Sequence, residues 1–262
     1  MKICRYLMRD ASSSDPASPS YGLIEGENVI EISGPLWAPW LRGSRSSRLA
    51  DVRLLAPVEP SKIVCIGRNY AAHAAEMGNE VPKEPLMFLK PPSSIIGPEE
   101  AIVLTKYSQR VEHEGELALV IGRRCSQLRD TDDALSFVMG YTCLNDVTAR
   151  DLQKSDVQFT RAKGFDTFCA VGPHIETTFD PSNVLVETHV NGARRQSGLT
   201  SLMTYPPGFL VGWISRMMTL MPGDVVATGT PAGVGPLVAG DTVEVSVAGV
   251  GVLRNPVYAP QA

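Results

Sequence analysis

The sequence is poor in the features that mark several common protein classes. It holds only 4 histidines in 262 residues, and its 5 cysteines (Cys4, Cys65, Cys125, Cys143, Cys169) are scattered, with no Cys-x-x-Cys pair. That spacing argues against zinc–thiolate sites, and an odd, dispersed set argues against a disulfide framework. Reduced thiols and a cytoplasmic location are the simpler expectation. Positive charge is not in excess: the formal net charge is -4 and no basic run stands out, so nucleic acid is not an expected partner. No apolar run is long enough to span a membrane, and Met1-Lys2-Ile3-Cys4-Arg5-Tyr6 lacks the apolar core of a signal peptide. Aromatic residues make up 6%, which leaves few platforms for sugars and weakens a two-carboxylate glycosidase reading.

What is present is an ordinary globular composition, 44% hydrophobic and 20% charged. It suffices for one large domain, or one domain with a small appendage. The local signals are mostly short strands with a few helices, so the expected class is α+β and strand-dominated. Residues 1–57 read as a small β-rich N-terminal subdomain: a strand from Ile3, a Ser/Pro-rich loop over Asp10 to Tyr21, and a hairpin turning at Glu25 to Asn28. Residues 58–262 read as the main body. In it, Ile63–Gly67, Leu86–Lys90, Tyr141–Asp146, Val225–Thr228 and Asp241–Val247 have strand patterns. Asn191-Gly192 marks a hairpin. Helices are expected over Asn69–Gly78, from Asp130 to Phe137, from Val147 to Gln153, and over Phe209–Met218, where Leu210, Trp213, Ile214 and Met217 fall at core spacing.

One stretch organises the chemistry: Val111-Glu112-His113-Glu114-Gly115-Glu116-Leu117-Ala118, running on to Ile121. Read as one strand, it puts Glu112, Glu114 and Glu116 on a single face. A solvated edge strand whose acids pair with Lys or Arg is one reading. The tail from Leu117 to Ile121 favours another, because it is apolar on both faces. A strand entering a core carries acids only if they are paired or bound to metal. Glu114, Glu116 and Asp146, which closes another strand, form an oxygen-rich set suited to Mg²⁺, Mn²⁺ or Ca²⁺ and not to zinc or copper. His73 and Glu76, at i and i+3 of a helix, form a carboxylate–imidazole pair of the kind a general base needs, or else a surface decoration. The glycine-rich run Gly229–Gly235 lacks the Lys-Ser/Thr end of a P-loop and does not fit Gly-x-Gly-x-x-Gly; it is a possible donor of backbone N–H groups to an anionic oxygen.

Taken together, these motifs resemble the fumarylacetoacetate hydrolase superfamily. They are Gly67-Arg68-Asn69-Tyr70 with His73 and Glu76, His113-Glu114-Gly115-Glu116, Asn145 to Gln153, Lys163 to Phe168, and Gly223-Asp224 through Gly229-Thr230-Pro231-Ala232-Gly233-Val234-Gly235. They occur in family order across residues 63–252. The resemblance implies a mixed β-roll holding Mg²⁺ or Mn²⁺, with Ca²⁺ as a crystallographic substitute. The metal ligands map onto Glu114, Glu116 and Asp146, and the catalytic residues onto His73, Glu76 and Lys163. Substrate contacts map onto Arg150, Gln153, Thr230 and Gly229, while Glu112 falls outside the matched motif as a bystander. The implied partner is a small 2-oxo acid with a second carbonyl or carboxylate nearby, and the implied assembly a homodimer. The implied reaction passes through an enolate: C–C hydrolysis of an acylpyruvate, with 2-hydroxyhepta-2,4-diene-1,7-dioate isomerisation or oxaloacetate decarboxylation as same-site alternatives in aromatic-compound catabolism. A non-catalytic protein holding a structural Ca²⁺ or a small ligand is the rival from another class; His73-Glu76 and Lys163 argue against it, since a structural site needs neither.

Overall fold

The computed structural model describes residues 1–9 and 18–259. Its core element is the strand Gly115–Ile121, in which every residue is buried. Leu117, Leu119 and Ile121 pack into one hydrophobic cluster, Ala118 and Val120 into another on the opposite face. A strand covered on both sides needs no polar face, hence its unbroken apolar run.

This strand lies inside a mixed 12-stranded sheet. It pairs antiparallel with Val138–Asp146 on one side and with Val225–Ala227 on the other. Beyond Val225–Ala227 come Ile63–Gly67, in parallel, and Leu86–Lys90. In the other direction Val138–Asp146 pairs with Cys169–Glu176, which pairs with Lys2–Met8. The N-terminal hairpin Ser20–Glu25 and Asn28–Ser33 continues the sheet. Its Leu23, Ile30 and Ile32 share a cluster with Ala118, Val120, Leu144 and Val171, so it covers the second face of the central strands. A 5-stranded sheet, including Leu185–Val190, Thr242–Val247 and Gly251–Tyr258, covers the first face. All five cysteines are free and buried. Among the described residues, no helix is long and apolar enough to cross a membrane.

Several local expectations change. The stretch from Val111 is not one strand. Val111–His113 belongs to a 3-stranded sheet with Thr148–Ala149 and Gly235–Pro236, and the chain changes sheet at Glu114. There the Glu114 amide donates to the Asn145 side chain (3.0 Å) and the Gly115 amide to Gln196 Oε1 (3.0 Å). Gly115 is required at the crossing, because a β-carbon would collide with the Thr188 hydroxyl and press Val245. Residues from Asp130 form only a short 3₁₀ turn, Ala134–Phe137. Here Asp132 and Asp133 bond locally to the amides of Arg129 and Leu135, competing with helix. The helix expected from Val147 starts at Arg150, because Thr148 and Ala149 pair with Val111 and Glu112. In the helix Pro207–Met217, Leu210 and Ile214 are buried, but Trp213 is half-buried and Met217 exposed. Lys163 ends a short helix, Thr160–Lys163. The Ser/Pro-rich loop falls largely on residues 10–17, outside the described residues; Ser20 and Tyr21 are already strand.

His174, on Cys169–Glu176, is buried, with Nε2 2.8 Å from the Val250 carbonyl. Burial, with the positive charge of Lys2 adding to it, pushes its pKa from 6.5 down to about 4. Above pH 6.5 the ring is neutral in both folded and unfolded chains; as pH falls toward 4 the unfolded chain takes up the proton first. The folded state should therefore lose about 3 kcal/mol across that window from this residue. Denaturant titrations of parent and His174→Gln at pH 7 and pH ~4 should show the smaller loss in the variant; equal losses would refute the assignment.

Candidate active site and metal centre

Where the three sheets meet, four carboxylates are buried together, Glu112, Glu114, Glu116 and Asp146, with Lys90, Arg150 and Lys163 buried among them. Isolated buried charges cost several kcal/mol each, so the pairing decides whether such a cluster is tolerable. Lys163 Nζ donates to Glu114 Oε2 (2.9 Å) and to Asp146 Oδ2 (2.6 Å). Lys90 Nζ donates to Asp146 Oδ1 (2.6 Å) and to the Val147 carbonyl (3.1 Å). Arg150 donates through Nε to Glu112 Oε2 (2.6 Å), through Nη1 to Gln153 Oε1 (2.5 Å), and through Nη2 to Glu114. Arg110 takes the other Glu112 oxygen (2.5 Å). Glu112 is thus no bystander: it anchors the guanidinium that faces the site.

Glu116 differs from the other three. Among the described residues no cationic side chain pairs with it; its Oε2 accepts only the Gly229 amide (2.7 Å). Burial pushes its pKa well above the usual carboxylate range, and the charges of Asp146 and Glu114 push the same way. Burial also opposes ionisation of Glu114, but Lys163 and Arg150 outweigh it and hold Glu114 well below that range. Burial disfavours the Lys163 ammonium, and Asp146 and Glu114 reverse that, so its pKa is raised.

Ligand oxygens of Glu114, Glu116 and Asp146 lie within 4.8 Å of one another. The donor set is all carboxylate oxygen, the chemistry of Mg²⁺, Mn²⁺ or Ca²⁺. A divalent cation there would supply the positive charge that Glu116 lacks. The residues present therefore fit the metal that the sequence resemblance implies.

A cavity of about 310 Å³ opens over this cluster, at the small end for ligand sites. His73, Glu114, Arg150, Gln153, Lys163 and Thr230 all line it. His73 sits on the helix Ala71–Glu76, with Nδ1 3.4 Å from Glu76 Oε2. The Glu76 carboxylate also accepts the Gly233 amide (3.1 Å), tying this helix to the glycine-rich run. Thr230 Oγ1 donates to the Gly115 carbonyl (2.9 Å) and accepts from Gln196 Nε2 (2.7 Å). Gly229 has a φ of 99°, and this left-handed conformation directs its one N–H at Glu116 rather than at a ligand. Sequence reasoning missed Lys90, Asn145 and Gln196. Lys90 carried a usable signal: a lysine closing an apolar strand just before Pro91-Pro92.

The fold and the buried cluster define the class, a strand-built enzyme with an all-oxygen candidate metal centre. The family model for the fumarylacetoacetate (FAA) hydrolase C-terminal domain matches residues 62–258, and one described as Rv2993c-like, N-terminal matches residues 1–57. Protein Rv2993c of Mycobacterium tuberculosis is 49% identical over 261 residues, covering 95% of this chain and 98% of that one. Human mitochondrial oxaloacetate tautomerase FAHD2A is 42% identical over 255 residues, covering 92% of this chain and 80% of that protein. The crystal structure of 2-hydroxyhepta-2,4-diene-1,7-dioate isomerase from Mycobacterium marinum superposes with a TM-score of 0.90 at 45% identity, covering 100% of both chains. The chain belongs to the fumarylacetoacetate hydrolase family and is an enzyme of that family.

Mn²⁺ should bind the parent measurably by calorimetry and raise its melting temperature, and Glu116→Gln should lose both effects. Because the metal-free Glu116 carboxyl is held protonated to higher pH than usual, a proton must leave as the metal binds. Mn²⁺ affinity should therefore fall as pH drops, starting above the ordinary carboxylate range. Undiminished affinity in Glu116→Gln would remove Glu116 from the ligand set.

Proposed function

We propose that the protein is a divalent-metal-dependent tautomerase or isomerase of 2-oxo acids, working through an enolate. One observation carries this reading: Glu114 of the carboxylate set, the Lys163 ammonium and His73, which is paired with Glu76, line one cavity. Glu114, Glu116 and Asp146 would hold Mg²⁺ or Mn²⁺, which supplies Lewis acidity toward a 2-oxo group. Lys163 has three N–H donors, two of them engaged by Glu114 and Asp146, so one remains for an enolate oxygen. In Arg150, the partners Glu112, Gln153 and Glu114 leave two of the five N–H donors for a substrate carboxylate or carbonyl, with Gln153 beside it. His73, with Nδ1–H toward Glu76, presents Nε2 as the base that moves a proton on or off the carbon next to the oxo group.

The names of the human and Mycobacterium marinum relatives, a tautomerase and an isomerase, support proton transfer as the reaction. C–C hydrolysis of an acylpyruvate is the second reading. The same His73–Glu76 pair favours it, since an oriented imidazole can activate water equally well. The small 2-oxo acid as partner and a homodimer as working assembly belong to the same proposal. So does the division into units at 1–57 and 58–262, supported by two family models that fall on either side of that junction.

The test is a panel of enol-oxaloacetate, a 2-hydroxydiene-dioate, acetylpyruvate and fumarylpyruvate, assayed with Mg²⁺, Mn²⁺ or EDTA. The first two should be ketonised in a metal-dependent way, with hydrolysis of the acylpyruvates slower; the reverse order would establish the hydrolase reading. His73→Ala should bind Mn²⁺ as the parent does but turn over ~10²–10⁴-fold more slowly. Parent-like turnover would exclude His73 as the base.

A further inference from the structure

The cavity wall carries more positive charge than the reaction described above uses. Arg68, Arg150, Lys154 and Lys163 line it against a single carboxylate, Glu114, although the chain as a whole carries a net -4. Lys163 is engaged by Glu114 and Asp146, and Arg150 by Glu112, Glu114 and Gln153. Arg68 and Lys154 have no hydrogen-bond or ion-pair partner among the described residues. Cations left unpaired against the same small cavity favour a ligand with more than one negative charge. Other parts of the wall are apolar, including Ile66, Leu86, Phe88 and Phe159, which suits a carbon skeleton between its charged ends.

Arg68 is unusual in its backbone as well. Its φ is 56°, in the left-handed region where a side chain is disfavoured and glycine is at ease. The next residue enforces this conformation. Asn69 is buried, its Nδ2 donates to the carbonyls of Thr228 (2.7 Å) and Tyr205 (2.9 Å), and its Oδ1 accepts the Tyr205 amide (2.8 Å). Glycine would satisfy the backbone at position 68 at lower cost. A long cation stands there instead, half-buried against the cavity. Strain over-determined by its surroundings, at a residue facing a ligand cavity, points to use of the side chain.

We propose that Arg68 reads the second carboxylate of a dicarboxylic 2-oxo acid, with Lys154 adding charge at the cavity rim. This rests on the 2-oxo acid reading above and narrows its substrate class to dicarboxylates. The planar guanidinium matches a carboxylate through paired N–H donors, and its half-buried position shields it from salt. Lys154 is exposed and screened, so its part is smaller and depends on ionic strength.

The test compares two ligands of the same chain length, 2-oxoglutarate and 2-oxopentanoate, by calorimetry with the Mn²⁺-loaded protein. The parent should bind 2-oxoglutarate at least about ten-fold more tightly. Arg68→Gln should weaken 2-oxoglutarate binding by about ten- to a hundred-fold, leave 2-oxopentanoate unchanged, and so erase the preference; Arg68→Lys should keep part of it. Arg68→Gly should erase the preference while melting at the same or a higher temperature, because it relieves the left-handed strain. A purely structural arginine would give the opposite pairing, a lower melting temperature with the preference intact, and that would overturn the proposal. A parent that binds both ligands equally, or variants that weaken both alike, would overturn it too. A parent that binds neither would bring down the 2-oxo acid reading itself, and this inference with it.

Discussion

The constraint on which this structure depends is the cost of burying charge. Glu112, Glu114, Glu116 and Asp146 are almost wholly removed from water, in a region where neighbouring strands bury apolar side chains on both faces. Such a cluster persists only if each carboxylate finds compensation. Two lysines and an arginine provide most of it, each delivered by a different segment: Lys90 from the end of an edge strand, Lys163 from a four-residue helix, Arg150 from the first turn of another. Glu116 is left with a backbone amide alone. The compensation is incomplete at Glu116, and the set it forms with Glu114 and Asp146 fits a divalent cation with oxygen ligands.

The sheets serve this arrangement. Gly115 lets the chain pass from the 3-stranded sheet into the 12-stranded one at the point where the acids lie. Glu112 precedes the crossing and Glu114 stands at it, and both reach Arg150. On the far wall, the Glu76 bond to the Gly233 amide joins the helix bearing His73 to the glycine-rich run. His73, Arg150, Lys163 and Thr230 thus reach one cavity from segments far apart in the chain.

Much of this was legible beforehand. The strand-dominated α+β class followed from short apolar runs punctuated by Gly, Pro and Asn-Gly. The central strand was visible because seven consecutive buried residues leave no polar alternation. The cluster members Glu114, Glu116, Asp146, Lys163 and Arg150 were identifiable as a set through the order of their motifs. Glu112 was not, since one more acid in an acidic stretch says nothing about which cation it meets. The partner of Lys90 was not, because Asp146 is 56 positions away. Gly229 looked like an open amide; only the neighbouring strand shows that Glu116 has already taken it.

The sequence by itself determined the periodicities, the turn positions and the kinds of chemistry available, because these depend on side chains close together in the chain. It fixed which oxygen ligands, bases and cations the protein possesses. Tertiary structure alone decided which of them face one another. Pair energies in a low-dielectric interior depend on distances of a few ångströms between residues dozens of positions apart, and no local pattern encodes them. That is why the break at Glu114, the anchoring of Arg150 by Glu112, and the left-handed Arg68 held against the cavity emerged only once the sheets were in place.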